Sequence, residues 1–191
     1  MKPILYSPTE TTFAHNGIGV LTDCVSCVVT EERNGAFELE MAYPVDGAFY
    51  TSIVVDAIIK AKPNETKGDQ LFRVYSVSRP INCIVTVSAE HISYQLSHIP
   101  VSPFSSNSLA DALAKVKSNS VGNNPFSFST SMSSTAAMSI SVPSSCRSCL
   151  LGSEGSILDV YGGEYEWDTT TYFYTGSVGR ITASLYATGK T

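Results

Sequence analysis

Residues 28–44 read Val28-Val29-Thr30-Glu31-Glu32-Arg33-Asn34-Gly35-Ala36-Phe37-Glu38-Leu39-Glu40-Met41-Ala42-Tyr43-Pro44, a pattern that few architectures accommodate. Phe37, Leu39, Met41 and Tyr43 alternate with Glu38, Glu40 and Ala42. That is the period of a strand with one buried face. Asn34-Gly35 tolerates the positive φ angles of a tight turn, so the stretch predicts a β-hairpin. The body is therefore β-built, and nothing in the hairpin carries chemistry.

A chain of 191 residues can bury a core and suits one large or two small domains. Hydrophobic content of 43% against 15% charged residues is that of a globular protein. The formal charge of −5 argues against a nucleic-acid-binding surface, which needs a basic patch. Lys60, Lys62 and Lys67 come nearest to one, and Asp56, Glu65 and Asp69 offset them. The first residues, Met1-Lys2-Pro3-Ile4-Leu5-Tyr6-Ser7-Pro8, lack the apolar core of a signal peptide. Apolar runs such as Ile53-Val54-Val55 and Ile58-Ile59 are too short for a membrane segment. Synthesis in the cytoplasm without a signal peptide is the expectation.

Alternation and turn spacing predict an all-β first domain over residues 1–98, a small barrel or sandwich. Its further strands are Ile53 to Lys62, Gln70 to Arg79 and Asn82 to Ser88, with turns at 63–69 and 79–82. Ser, Pro and Asn then dominate from Ser97 to Ser108, which marks a boundary. A small α+β domain with two helices is expected over residues 99–168. Ser108 caps the first helix, Asp111 suits its first turn, and Leu109, Ala112, Leu113 and Val116 form its apolar face. Phe126 to Val142 reads as strands. A second helix is predicted from about Ser145 to Tyr161, weakened by Gly152 and Gly155, before an alternating strand from Glu164 to Asp168.

Two Cys-x-x-Cys pairs, Cys24/Cys27 and Cys146/Cys149, have the spacing of zinc knuckles. Most of the chain separates them, whereas knuckles lie close in sequence. Cys24 to Val29 also reads as strand, in which residues three apart face opposite ways. Cys27 then packs as a small hydrophobe, a zinc site is disfavoured, and a redox role more so. Five cysteines in a cytoplasmically made chain predict free thiols. His15, His91 and His98 are scattered, which fits surface or packing roles. Glu164 and Glu166 share a strand face and could pair as acid and base, but exposed carboxylates on a strand are common. There is no glycine-rich phosphate loop and no Gly-x-Ser-x-Gly. Tyr161, Tyr165 and Trp167 could make a sugar platform, although a core face with one exposed tyrosine is the better reading. No catalytic residue, cofactor or metal is expected.

Three segments carry a family resemblance: Ile4-Leu5-Tyr6, residues 29–39, and residues 151–168 with Gly155-Ser156-Ile157-Leu158-Asp159-Val160-Tyr161-Gly162-Gly163-Glu164-Tyr165-Glu166-Trp167-Asp168. The last is the most specific. Over roughly residues 1–168 the chain resembles the N-terminal region of the phage tail-hub family, also called prophage endopeptidase tail or tail-associated lysin. These proteins belong to siphophages and prophages of Gram-positive bacteria and are similar to the baseplate hub of contractile-tailed phages. The resemblance implies a virion structural protein at the tail tip. It would form a homotrimer of barrel-like domains, with the distal tail protein ring above and the tape measure protein as partner. DNA passes through the central channel without specific binding, and an acidic wall is compatible with that. In the family, lytic or receptor-binding activity usually sits in C-terminal domains, so no enzyme activity is expected of this region. Two other classes stay open: a cell-wall-directed hydrolase, or a carbohydrate-binding adhesin using the three aromatics.

The resemblance fails over residues 169–191. After Trp167-Asp168 it implies an Asn-Tyr start and later a segment like Asp-Asn-Gly-Val-Thr-Leu-Arg-Tyr-Gly-Lys-Asn. The chain instead reads Arg180-Ile181-Thr182-Ala183-Ser184-Leu185-Tyr186-Ala187-Thr188-Gly189-Lys190-Thr191. Taking the last base of each codon with the first two of the next permits the whole implied segment in one shifted frame. Residues from about 169 are therefore expected to be a frameshifted tail that truncates the hub, and no function is read into Tyr172-Phe173-Tyr174.

Overall fold

The computed structural model describes residues 2–152, 154–168 and 181–186. The fold is mainly β, with an antiparallel half-barrel and a small α+β part. It divides into two compact units, residues 2–92 and residues 93–168 with 181–186. Among the described residues no helix is long and apolar enough to cross a membrane.

In the first unit the strands are β1 (Ile4–Tyr6), β2 (Gly19–Val20), β3 (Ser26–Glu31), β4 (Phe37–Pro44), β5 (Ile58–Ala61), β6 (Gln70–Val77) and β7 (Ile84–His91). They form one seven-stranded sheet in the order β2-β1-β5-β6-β7-β4-β3. The alternation of β4 does what its sequence requires: Phe37, Leu39, Met41 and Tyr43 are all buried. β7 answers with Val85, Val87, Ala89 and His91, paired across the ladder as Tyr43↔Val85, Met41↔Val87 and Leu39↔Ala89. Phe37 stacks on the His91 ring at 4.3 Å and meets Phe72 edge-on at 5.4 Å. His91 is thus a packing residue, its Nε2 3.2 Å from Gln70 Oε1 inside the core.

The turns differ from the sequence expectation in an instructive way. At Asn34-Gly35 only Asn34 has a positive φ, 53°, and the loop closes through Glu32 N–H to the Ala36 carbonyl at 2.7 Å. The tight two-residue turn with both φ positive lies instead at Asn82 (51°) and Cys83 (62°), between β6 and β7. Ile81 and Ile84 exchange both backbone hydrogen bonds around it, at 2.8 and 3.0 Å. Such a turn matches the twist of the flanking strands, which compensates for placing a side-chain-bearing cysteine in the left-handed region. The strand expected over 53–62 is confined to β5, because Asp56 takes φ 70° and breaks the extended run. Gly17 is required: at φ 56°, a Cβ there would lie 2.3 Å from the Leu5 carbonyl oxygen.

The second unit contains β8 (Pro100–Val101), β9 (Phe104–Ser106), α1 (Leu109–Ser118), β10 (Phe126–Thr130), β11 (Met138–Ile140), β12 (Ser144–Ser145), α2 (Cys146–Leu150), α3 (Ile157–Tyr161), β13 (Glu164–Asp168) and β14 (Ile181–Tyr186). Helix α1 is as its pattern predicts. Ser108 Oγ accepts from Asp111 N–H, and Leu109, Ala112, Leu113 and Val116 are buried. Lys115 bridges Asp111 one turn back at 2.8 Å. The single helix expected over 145–161 is in fact two. Gly152 (φ 83°) and Gly155 (φ 78°) take left-handed backbone between them, and each short helix has its own serine cap, Ser145 and Ser156. Strand β14 lies between β10 and β13, parallel to the first and antiparallel to the second. The rest of the stretch read as a frameshifted tail, residues 169–180 and 187–191, lies outside the described residues.

Phe37→Ala removes a side chain 2% exposed that touches two other rings. It is expected to destabilise the first unit by about 3–5 kcal/mol, read as a lowered urea midpoint in far-UV circular dichroism.

Candidate functional site

The four cysteines singled out by spacing fall into two unlike settings. Cys24 and Cys27 belong to the first unit, Cys146 and Cys149 to the second. All are free thiols. Among the described residues no three His, Cys, Asp or Glu side chains gather as a metal's donor set.

Cys146 and Cys149 lie on α2 and are fully buried. Burial pushes both thiols up, Cys146 to about 12 and Cys149 to about 11. These are inert packing groups that stay protonated at neutral pH.

Cys24 and Cys27 are half-buried, at a structurally particular place. β2 and β3 are the two edge strands of the sheet, yet only residues 21–25 separate them in sequence. Six residue steps span at most about 20 Å, so this segment draws the open edges of the half-barrel toward each other. It is pinned along its length. Leu21 N–H donates to the Pro3 carbonyl at 2.8 Å, and Lys2 Nζ donates to the Thr22 carbonyl at 2.9 Å. Asp23 Oδ2 accepts from Ala48 N–H at 2.9 Å and faces the Tyr43 hydroxyl at 3.4 Å.

The seam explains why strand periodicity misplaces Cys24. Extended backbone ends at Val25, whose N–H donates to the Ala42 carbonyl at 2.9 Å, and the chain turns through Cys24 N–H to Leu21 O. Cys24 therefore lies ahead of the strand and not within it. In its protonated form Cys24 Sγ donates to the Ser26 carbonyl at 3.1 Å. The Cys27 side chain lowers the Cys24 thiol most, burial opposes it, and with the Lys2 ammonium and the Ser26 backbone the balance brings Cys24 from 9.0 down to about 7. The same contact, with burial, drives Cys27 upward. The legible signal was the turn-forming Thr22-Asp23 directly ahead of Cys24.

The aromatic platform is not assembled. Tyr165 and Trp167 are buried at 7% and 6% exposure and stack on each other at 5.7 Å, so neither offers a ring face to a sugar. Tyr161 is partly exposed, and its hydroxyl donates to the Ala136 carbonyl at 2.8 Å. Glu164 and Glu166 point to the opposite, outer face of β13. Of the other histidines, His15 Nε2 lies 3.6 Å from the Glu10 carboxylate and His98 is exposed.

No protein-family model matches the chain, and no curated protein matches it. Among solved structures it is similar to prophage tail protein gp18 from Listeria monocytogenes EGD-e, with a TM-score of 0.61 at 12% identity. The match covers 97% of this chain and 51% of gp18, so this chain spans about half of that protein's length. At such identity the shared property is the fold.

The buried thiols set a pH dependence. Their folded pKa values, about 11 and 12, lie above the ordinary 9.0. Above about pH 9 the unfolded chain sheds these protons and the folded one does not. Stability of the second unit should therefore fall as pH rises from about 9 toward about 11–12, and these thiols should leave it unchanged below that window. Urea unfolding followed by the fluorescence of Trp167, the single tryptophan, is expected to show the fall. In a Cys146→Ala/Cys149→Ala variant it should be smaller.

Proposed function

We propose that this chain is a structural protein of a phage or prophage tail tip, the N-terminal part of a hub whose copies form a trimeric ring around the DNA channel. The observation that carries the reading is the fold it shares with a prophage tail protein over nearly its whole length. The segments at residues 4–6, 29–39 and 151–168 support the same class from the sequence side. In this reading the protein is located in the virion tail tip, below the distal tail protein, and meets the tape measure protein. Its role is architectural and not enzymatic.

Two physical features support an assembling role. Among the described residues β3 is an edge strand of the sheet, and Val25 and Val28 beside that edge are 65% and 58% exposed. Apolar side chains along an open edge gain by burial against a second copy. The net charge of −5 disfavours adhesion of DNA to a channel wall.

Light scattering behind a sizing column tests the ring. A particle near three times 20.5 kDa is expected. A particle of 20.5 kDa at high protein concentration would count against trimerisation by these residues.

A further inference from the structure

The chain holds two Asn-Gly pairs, Asn16-Gly17 and Asn34-Gly35. We propose that Asn16-Gly17 is a site of self-modification, at which His15 acts as general base for closure of Asn16 to a succinimide that water opens to aspartate and isoaspartate. This chemistry is independent of any role in a tail tip.

The base and the nucleophile meet in the loop between β1 and β2. Gly17 N–H donates to His15 Nδ1 at 2.9 Å. A backbone amide nitrogen only donates, so Nδ1 is the accepting nitrogen and the hydrogen of the neutral imidazole sits on Nε2. Nε2 in turn lies 3.6 Å from the Glu10 carboxylate and 3.4 Å from the Thr12 hydroxyl. The basic nitrogen is therefore aimed at the amide hydrogen that must leave as Gly17 N attacks, within the reach a general base needs. The Tyr6 hydroxyl donates to the His15 carbonyl, and its ring meets the imidazole edge-on at 5.5 Å, which holds the base in place.

Access favours the same pair. Asn16 is exposed, and no hydrogen bond to another described residue ties its side chain. Gly17 brings no Cβ to obstruct the attack on its neighbour. At the other pair Asn34 is half-buried, and Gly35 N–H donates to the Glu32 carbonyl at 3.1 Å. A carbonyl oxygen accepts that hydrogen but is too weak a base to remove it.

The steps balance without an oxidant or a cofactor. His15 Nδ1 takes the Gly17 amide proton as Gly17 N attacks Asn16 Cγ, and the N–Cγ bond forms. The imidazolium returns the proton to the side-chain nitrogen, the Cγ–Nδ2 bond breaks, and ammonia leaves. Water then adds to one carbonyl of the cyclic imide, and the C–N bond at that carbonyl breaks. Opening at Cγ gives aspartate, and opening at the main-chain carbonyl gives isoaspartate. Ammonia is lost and water is gained. Either product adds a negative charge to the loop, and isoaspartate also lengthens its backbone just ahead of Ile18, whose N–H donates to the Leu5 carbonyl at 2.8 Å.

The intact protein would be held at neutral pH and physiological temperature, sampled over weeks, and digested with trypsin, which cuts after Arg33 and so separates the two pairs. Mass spectrometry reads the exchange of amide nitrogen for oxygen at each asparagine. Asn16 is expected to convert several-fold faster than Asn34. The hydroxyl of a His15→Ser variant can accept the same hydrogen bond without the basicity, so Asn16 should slow several-fold there while Asn34 is unchanged. Far-UV circular dichroism checks that this exposed substitution leaves the fold intact. In concentrated urea the two asparagines of the wild-type chain should convert at similar rates. The proposal is overturned if Asn16 converts no faster than Asn34 in the folded protein, if folded His15→Ser keeps the wild-type rate, or if the preference for Asn16 persists in urea.

Discussion

The first unit rests on the register of β4 against β7. Four inward side chains of β4 meet Val85, Val87, Ala89 and His91 of β7, and the rest of the half-barrel core is built out from that pair. A slip by one residue would turn Glu38 and Glu40 inward and Phe37 and Met41 out, so the register has no near competitor. The cluster of Phe37, Phe72 and His91 then fixes β6 from the far side of β7. With Gln70 beside it, the imidazole contributes an aromatic face and keeps a polar partner, which lets a histidine sit fully buried.

Closure obeys a different logic. A seven-stranded sheet with two free edges would expose unpaired backbone along both. Here a short covalent segment, held by Lys2, Asp23 and the Ala42 carbonyl, draws the edges together at one end. Its brevity takes the chain out of extended geometry at Cys24. The buried pair on α2, with the same spacing, is held in a core where burial suppresses ionisation.

Much of this is legible in the residues alone. The alternation in β4 and the apolar face of α1 with its Ser108 cap both come from local residue chemistry. The candidate site is less legible. Spacing flags Cys24 and Cys27, and strand periodicity assigns them to opposite faces, but only the structure shows that Cys24 precedes the strand that holds Cys27. Tyr165 and Trp167 are equally ambiguous: an alternating strand states that two aromatics share a face, not whether the face is covered. The break between α2 and α3 could have been found by giving Gly152 and Gly155 the meaning of helix ends, with Ser145 and Ser156 as caps.

The sequence by itself determined strand β4 and helix α1, with the side chains that each buries. Those choices depend on period, capping and turn propensity within a few residues. Tertiary structure decided where the edges meet, which of two identical Cys-x-x-Cys motifs is accessible, and that Asn82-Cys83 and not Asn34-Gly35 makes the tight turn. Each of these depends on strand order and twist, set by contacts between residues far apart in the chain. No local pattern encodes them.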